Sequence, residues 1–513
     1  MIDPSAIRTQ NSREQEGGFP ASEVERATGS KTLGGNRLEL QYEGSSTFSS
    51  WLEGISRAQC MVYLENYLIR DDRVGRAFRD VLIEKARSGV PVYVVYDWVG
   101  CWATPRSYWK PLKQAGVHVR AFNPPTPSWL RDPFGILRRD HRKLIVLDGK
   151  VAYVGGVCLG VEWAGRPTHP AWRDTAVKIS GPAARAAARA FEATWRGMGE
   201  SLGLSQKLPI LSDVGDTPVW LIEGEPGRTR VYRTIHWVAA RAKERIWITD
   251  AYFVAPQSVS EALGAAAQQG VDVRILVPAQ NNWLLVGSLS RGGYRSLLKS
   301  GVRIFEWQGP MIHAKTAVVD GVWSRVGSSN LNSASLIGNW ELDVGVLDTE
   351  LASQLEELFL TDLSSSIEIV LPSRRFEHGI EIPESSGATE SLDPQGTLPK
   401  RIKQQMQTLG SAQRHVTMAP LVRARGALGD SLAGDRPLGR EDRTVLGTVS
   451  ALILSTAIIA AFFPTFVGVV VAVVACWFGL TTGIRAYLQS RRARSEEREA
   501  STTVEVDQGE NNS

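Results

Sequence analysis

The stretch HRKLIVLDGKVAYVGG at residues 141–156 has a counterpart in HAKTAVVDGVWSRVGS at residues 313–328. Each stretch contains a His-x-Lys-x4-Asp motif, and seven residues after the aspartate a Gly-Gly or Gly-Ser pair begins. A block of this kind that occurs twice predicts that the chain contains two related halves.

Two further pairs of segments match in the same order along the chain. ARSGVPVYVVYD around Gly89 matches AQQGVDVRILVP around Gly270, and LKQAGVHVRAF around Gly116 matches LLKSGVRIFEW around Gly301. One matched pair arises easily by chance, whereas three pairs in the same order do not. The sequence therefore predicts an internal duplication of a unit longer than any solenoid repeat.

Strand-like and helical runs alternate from Arg37 onward. The first strand is expected at residues 61–69, the next helix at 74–88 and the next strand at 91–96. This alternation is typical of an α/β fold. We predict two duplicated halves, 37–205 and 206–372, each a β-sheet flanked by helices and packed about a pseudo-two-fold axis.

The two motifs bring together residues suited to phosphoryl transfer. Side chains at i and i+2 of a strand share a face, so each motif histidine and lysine reach one pocket. If the halves pack about a two-fold axis, one imidazole can attack phosphorus, the other can protonate the leaving alkoxide, and two ammonium groups can stabilise the phosphate oxygens. The alternatives are histidines with no role beyond their strands, and metal binding, which the lysines disfavour.

Composition excludes several classes of protein. The chain has 513 residues, 43% hydrophobic and 22% charged, which excludes wholesale disorder, collagen and coiled coil. A formal net charge of +4 is too even to indicate nucleic-acid binding. Cys60, Cys101, Cys158 and Cys476 lack CxxC spacing, so we expect neither a disulfide framework nor a zinc site, and no cofactor.

The ends of the chain read as separate segments. Residues 1–36 are polar, read as a disordered lead and lack the apolar stretch of a secretory signal. Residues 373–444 are expected to be a linker, basic towards its end, with one short helix near 400–409. A polar cytoplasmic tail is expected at 485–513.

The segment 445–484 contains no charged residue, and Pro464 lies near its middle. As one helix it would be about 60 Å long, twice the bilayer core, so we predict a transmembrane helical hairpin. One tilted span or a re-entrant hairpin are the alternatives. Arginines on both sides place both ends on the cytoplasmic face of the cell inner membrane, with the catalytic part.

Several tryptophans stand among Pro, Gly and Arg rather than in regular apolar patterns. They are Trp98, Trp102, Trp109 and Trp129. Two interpretations remain open, namely exposed aromatic side chains at a lipid interface and ordinary core tryptophans.

The paired motifs resemble those of the phospholipase D superfamily over residues 37–372. Within it the chain is most similar to the bacterial cardiolipin synthases, through DHRKLIVLDGKVAYVGG, WRDTAVKISGPAA and HAKTAVVDG followed by VGSSNLN. The resemblance implies a two-half α/β sandwich, a phosphohistidine intermediate and no metal. It implies transfer of a phosphatidyl group between phosphatidylglycerol molecules. The main alternative is a phospholipase D that uses water or another alcohol as acceptor, because such an enzyme shares every motif. A nuclease and a non-catalytic scaffold are less favoured.

The resemblance also assigns roles to individual residues. His141 and His313 match the catalytic histidines, with His141 as nucleophile, and Asp174 and Glu341 match the carboxylates that orient each imidazole, each expected beside the histidine of its own half. The remaining matches are the phosphate lysines Lys143 and Lys315, the motif aspartates Asp148 and Asp320, expected to hold the strand–loop architecture, and the phosphate-side donors Ser328 and Asn330.

Two features depart from the family pattern. Cys158 stands in the first half where the second half has Asn330, so the phosphate site is not fully symmetric. The apolar hairpin lies after the duplicated region, whereas bacterial cardiolipin synthases often carry membrane segments before it. Glu65 and Asp250 occupy matching places after the first strand of each half, near the pocket or as caps.

Overall fold

The computed structural model describes residues 18–125, 135, 138–167, 169–203, 211–282 and 284–371. The linker, hairpin and tail predicted beyond residue 372 lie outside this range. Within it, no helix has both the length and the apolar character needed to cross a bilayer.

The strands of the first half follow the order β1-β7-β6-β5-β2-β3-β4. The neighbours β2, β3 and β4 are parallel, and β5 is antiparallel to β2. The strand predicted at 91–96 is confirmed as β3, whereas the one predicted at 61–69 is confirmed only for its first part, because β2 ends at Asn66. The strand bounds are β1 Leu33–Gln41, β2 Val62–Asn66, β3 Val92–Asp97, β4 His118–Phe122, β5 Lys143–Leu147, β6 Val151–Gly155 and β7 Ala176–Ser180.

The second half repeats this order as β8-β14-β13-β12-β9-β10-β11, with β15 added at the end. Again the first three strands after its opening helix, β9 to β11, are parallel, and the motif strand β12 is antiparallel to β9. The bounds are β8 Thr217–Gly224, β9 Arg245–Asp250, β10 Asp272–Pro278, β11 Arg303–Trp307, β12 Lys315–Val319, β13 Trp323–Gly327, β14 Glu341–Leu347 and β15 Ser366–Ile369.

Helices cover the strands, as an α/β fold requires. The helix predicted at 74–88 is confirmed as α3, whose N-cap Asp72 accepts hydrogen bonds from Val74 N and Gly75 N. The helices are α1 Ala21–Thr28, α2 Gly44–Arg57, α3 Arg73–Arg87, α4 Arg106–Gln114, α5 Val161–Ala164, α6 Pro182–Gly197, α7 Arg230–Arg241, α8 Gln257–Gln268, α9 Leu284–Lys299 and α10 Thr349–Ser364, with a π-helical turn at Ala334–Gly338.

The prediction that residues 1–36 are a disordered lead is wrong for its second part. Helix α1 covers Ala21–Thr28, and β1 already begins at Leu33. Phe19 and Val24 are buried in the core of the second half, beside Trp220 and Ile235. The helix is stabilised by this tertiary contact, and so short a segment shows no periodicity that sequence analysis could detect.

The two halves share one hydrophobic core. Val146 and Val154 of the first half pack with Val318, Val326 and Val344 of the second in a single buried cluster. Strand β6 packs there against the neighbouring strands β13 and β14. The halves are therefore held together by core packing as well as by the pairing of β1 with β8.

Strand β1 pairs with β8 only near the beginning of each strand. Leu33 lies opposite Val219 and Asn36 opposite Thr217, with an irregularity between them. Gly35 in this irregularity has φ 76°, a left-handed conformation that favours glycine. Backbone hydrogen bonds between the halves, from His141 N to Trp340 O and from His313 N to Arg173 O, bring together the ends at which β5 and β12 begin, and we refer to these strand ends as the motif edge.

Candidate active site

The motif histidines and lysines lie at the motif edge, where β5 and β12 begin. All four are buried, with relative exposures of 9% for His141, 2% for Lys143, 4% for His313 and 0% for Lys315. Each lysine ammonium donates a hydrogen bond to the carbonyl oxygen of the histidine two residues before it. The positive charges of both lysines lower the pKa of each imidazole, so the two motifs lie close to each other.

Each imidazole is held by a carboxylate of the other half. Nδ1 of His141 lies 3.0 Å from Oε2 of Glu341, and Nδ1 of His313 lies 2.7 Å from Oδ2 of Asp174. The expectation that each carboxylate serves the histidine of its own half is therefore wrong. Because Nδ1 is occupied by a carboxylate, Nε2 of each ring is the nitrogen that remains for a substrate.

Backbone pairing between the halves explains this exchange. His141 N donates to Trp340 O at 2.8 Å, and Trp340 N donates to Arg139 O at 2.9 Å. In the related place His313 N donates to Arg173 O at 2.6 Å. Glu341 directly follows Trp340, and Asp174 directly follows Arg173. Strand-like pairing across the halves therefore brings each carboxylate to the histidine of the opposite half.

Further groups fix the two carboxylates. Trp163 Nε1 donates to Asp174 Oδ2 at 2.7 Å, and Ser328 Oγ donates to Glu341 Oε2 at 2.5 Å. A Cβ atom at Gly156 would lie 2.1 Å from Asp174 Oδ1, which explains a glycine in the first motif where the second has serine. Ser328 uses its only proton on Glu341, so these hydrogen bonds give it a positioning role and no free donor for phosphate.

Asn330 and Cys158 occupy equivalent places after β13 and β6. Asn330 is 3% exposed, and its Oδ1 has no hydrogen-bond partner among the described residues. Burial raises the pKa of the Cys158 thiol to about 11, although the charge of Lys143 opposes this. The thiol is thus neutral near pH 7, so the first half offers only a weak donor where the second offers an amide.

The motif aspartates lie away from the histidines, at the other end of β5 and β12. Asp148 accepts hydrogen bonds from the backbone N–H groups of residues 59, 60 and 61, and Asp320 from those of residues 243, 244 and 245. Both have positive φ, 55° and 52°. A five-residue strand, roughly 17 Å long, separates each from its histidine, so these carboxylates hold the preceding loops.

The sequence match of Glu65 with Asp250 differs by one residue from the strand pairing in the structure. Asp250 lies opposite Lys315, whereas the residue opposite Lys143 is Asn66. Asp250 accepts hydrogen bonds from Tyr252 N and Leu331 N, and Asn66 accepts one from Leu68 N. Glu65 is fully buried on the other face of the strand, and burial raises its pKa.

Burial and positive charge keep both imidazoles neutral. Burial, assisted by Lys143 and Lys315, lowers the pKa of His141 against the opposing effect of Glu341. Burial and the Lys315 charge lower the pKa of His313 to about 3. Burial also lowers the pKa of Lys315 to about 8. A neutral imidazole has a free lone pair on Nε2, as a nucleophile requires.

The two orienting carboxylates stay ionised because their neighbours lower their pKa values by more than burial raises them. Burial raises the pKa of Asp174, but the charge of Lys315 and the hydrogen bonds from His313 and Trp163 outweigh this effect and leave it at about 2. The same balance, with His141 as the partner, lowers the pKa of Glu341. Each ionised carboxylate accepts the Nδ1 proton and thereby fixes the tautomer of its imidazole.

Two tyrosines that sequence analysis did not single out border the motifs. The Tyr67 ring lies 4.9 Å from the His141 ring and 5.2 Å from Lys143 Nζ. The Tyr252 ring lies 5.7 Å from the His313 ring and 5.8 Å from Lys315 Nζ. Each tyrosine ends one of the segments LENY and TDAY, and these two segments were the available signal.

The described residues contain no group of three His, Cys, Asp or Glu side chains arranged to hold a metal ion. The positive charges near the imidazoles come from Lys143 and Lys315. The arrangement offers two Nε2 atoms, two ammonium groups and the Asn330 amide, a set suited to nucleophilic and acid–base chemistry at a phosphate diester.

Comparison with known proteins agrees with this site. A family model described as "Cardiolipin synthase, PLD-like domain" matches residues 238–363. Cardiolipin synthase A of Pseudomonas aeruginosa is 32% identical over 353 residues, covering 68% of this chain and 71% of that protein. A cardiolipin synthase of Geobacillus kaustophilus is 35% identical over 325 residues, 62% of this chain and 64% of that one.

A solved structure shows the same fold. Phosphatidylserine synthase of Haemophilus influenzae superposes with a TM-score of 0.54 at 14% identity, over 68% of this chain and 92% of that one. Fold and paired motifs define a member of the phospholipase D superfamily. Within that superfamily, this chain belongs to the cardiolipin synthase family of phosphatidyltransferases.

Proposed function

We propose that this enzyme transfers a phosphatidyl group from one phosphatidylglycerol to a hydroxyl of a second, forming cardiolipin and releasing glycerol. The observation that supports this proposal is the meeting of two His-x-Lys motifs whose imidazoles are each held through Nδ1. The names of the similar bacterial proteins support the choice of lipid and acceptor.

In the first step, Nε2 of His141 attacks the phosphorus of the donor lipid. The bond from phosphorus to the glycerol oxygen breaks, and His313 gives that oxygen a proton from Nε2. The product is a phosphatidyl-histidine and free glycerol. Lys143 and Lys315 stabilise the charge on the non-bridging oxygens, and the Asn330 amide is available on the same side.

In the second step, a hydroxyl of the acceptor phosphatidylglycerol loses its proton to Nε2 of His313. Its oxygen attacks phosphorus, the bond to His141 breaks, and cardiolipin leaves. His313 must hold a proton in the first step although burial lowers its pKa. The negative phosphate of a bound lipid favours that proton, because an opposite charge stabilises the imidazolium.

The products formed in cells test this proposal. The wild-type protein is expressed in a bacterial host lacking its own cardiolipin synthases, and membrane lipids are measured by mass spectrometry. We expect cardiolipin with wild type, none with His141→Ala or His313→Ala, and full activity with His118→Ala, a histidine that is exposed on β4. Phosphatidic acid in place of cardiolipin would show that water is the acceptor and would overturn the transferase proposal.

We further propose that the hairpin at residues 445–484 anchors the enzyme in the bacterial inner membrane, with the catalytic part on the cytoplasmic side. Its apolar length and flanking arginines support this topology. In sealed inverted vesicles, whose cytoplasmic face is outward, added protease should digest the catalytic part. Protection of that part would contradict the orientation.

A further inference from the structure

The exposed aromatic side chains and the exposed aliphatic side chains lie at different ends of the sheets. Among the described residues they are Trp102 at 76%, Tyr42 at 43%, and the aliphatic Val214, Val370 and Leu371 at 37–44%. Tyr42 follows β1 and Trp102 lies in the loop after β3, so both aromatic side chains belong to the motif edge. The three aliphatic residues lie at the opposite ends of the strands.

The exposed charges at the motif edge are almost all positive. The loops at this edge, as far as the structure describes them, each lead into a strand or into a helix, and the first residue of each such helix belongs to the same edge. Their exposed charged residues are Arg73, Arg106, Arg138, Arg166 and Arg228 and a single acid, Glu43. This edge therefore presents positive charge although the whole chain is nearly balanced at +4.

Trp102 continues into a helix with a positive outer face. In α4 the side chains of Tyr108, Trp109 and Leu112 are buried, whereas those of Arg106 and Lys110 are exposed. Residues four apart share one face of a helix, so Arg106 and Lys110 form one stripe that begins four residues after Trp102. Of the tryptophans that the sequence left open, Trp109 is a core residue and Trp102 is exposed.

The loop carrying Trp102 is fastened to the active site. Asp97 accepts hydrogen bonds from Val99 N and Gly100 N, and also from Asp140 N, one residue before His141. Cys101 Sγ accepts from Ile69 N at 3.1 Å. The backbone of the loop that carries the indole is thereby tied to the segment before the motif histidine.

We propose that the surface formed by Trp102, Arg106 and Lys110, the Trp102 surface, docks on a bilayer of anionic phospholipid and seats the motif edge against it. Indole rings favour the interface between headgroups and acyl chains, and cations beside them attract lipid phosphate. A protein partner fits less well, because among the described residues Trp102 is the one large apolar side chain exposed on this surface, and a single indole falls far short of the roughly 800 Å² that a stable partner buries.

This inference rests on the proposed function, since a phosphatidyltransferase must reach headgroups within a bilayer. The test uses the full-length enzyme and measures cardiolipin formation from phosphatidylglycerol in vesicles and in detergent micelles. We expect Trp102→Ala and the double variant Arg106→Glu/Lys110→Glu to keep the micellar rate. The rate on vesicles should fall about five-fold for each group lost, through a higher apparent KM with unchanged kcat.

Control variants remove an exposed apolar side chain, or reverse two exposed positive charges, at the opposite ends of the sheets. They are Leu371→Ala and the double variant Arg57→Glu/Arg87→Glu, in which both arginines are exposed at the ends of their helices. These should leave both rates unchanged. Equal vesicle-to-micelle ratios for wild type and the Trp102-surface variants would overturn the docking proposal, whereas wild type that makes no cardiolipin in micelles would instead overturn the proposed function.

Discussion

The exchange of carboxylates between the halves predicts that Glu341→Gln and Asp174→Asn damage different steps. Glu341 holds His141, the proposed nucleophile, and Asp174 holds His313, the proposed acid and base. Both substitutions keep the shape of the side chain and remove its charge. If each carboxylate served its own half, the two effects would be interchanged.

The magnitude for Glu341→Gln follows from its contacts. The carboxylate is fully buried, with its oxygens 3.0 and 3.1 Å from Nδ1 of His141. A hydrogen bond to a charged group contributes about 1.5–3 kcal/mol, or roughly 10- to 150-fold in rate. An amide can also turn its NH2 toward Nδ1 and move the imidazole proton to Nε2, and this tautomer change costs about 10⁴-fold in a serine protease triad. We expect a loss of about 10² to 10⁴.

The assay uses a phosphatidyl ester of p-nitrophenol, whose leaving group needs no protonation. Formation of the phosphatidyl-histidine then releases a burst of p-nitrophenolate that does not depend on His313. We expect Glu341→Gln to slow the burst and Asp174→Asn to keep it while slowing steady turnover. Mapping of the labelled peptide should place the phosphatidyl group on His141.

The converse result would refute the reasoning. If Asp174→Asn abolished the burst and Glu341→Gln preserved it, with the label still on His141, the exchange between halves would not operate in catalysis. Thermal unfolding of both variants provides the control for folding, since each substitution affects a buried hydrogen-bonded group.

Five further outcomes follow from the structure. Gly156→Ala places a Cβ 2.1 Å from Asp174 Oδ1, so the carboxylate must move, and we expect at least about a ten-fold loss of kcat; a kcat equal to wild type would contradict this. Lys315 has a pKa of about 8, and its charge is lost as pH rises through that value, so kcat/KM for the lipid should fall above about pH 8. The negative charge of Asp250 supports the Lys315 charge, so Asp250→Asn should move this limb of the profile to lower pH, and an unmoved limb would show that the limb belongs to another group. Asp148→Ala removes the acceptor of three backbone N–H groups and should lower the free energy of unfolding by about 1–3 kcal/mol in denaturant titrations, with the kcat of the folded enzyme unchanged. Turnover should persist in a chelator, and activity lost to chelation and restored by one divalent ion would contradict a metal-independent reaction.

The sequence by itself identified the duplication and the residues that carry the chemistry. Motif spacing is a local property, because a strand presents alternate residues on one face whatever surrounds it. His141 with Lys143 and His313 with Lys315 could therefore be chosen before any fold was known. The family and the α/β class followed from the same local patterns.

Only the tertiary structure decided how the halves combine. Each histidine meets a carboxylate of the other half because backbone segments distant along the chain pair with each other, and no local spacing records such pairing. The same holds for Asn66, rather than Glu65, beside Lys143, since register depends on which strand is the neighbour. It holds also for α1 and the residues before it, because Phe19 and Val24 gain a core only when the second half is folded against them. Residue types and local periodicity are fixed by the chain, whereas contacts between distant segments are fixed by the packing that excludes water from the shared core.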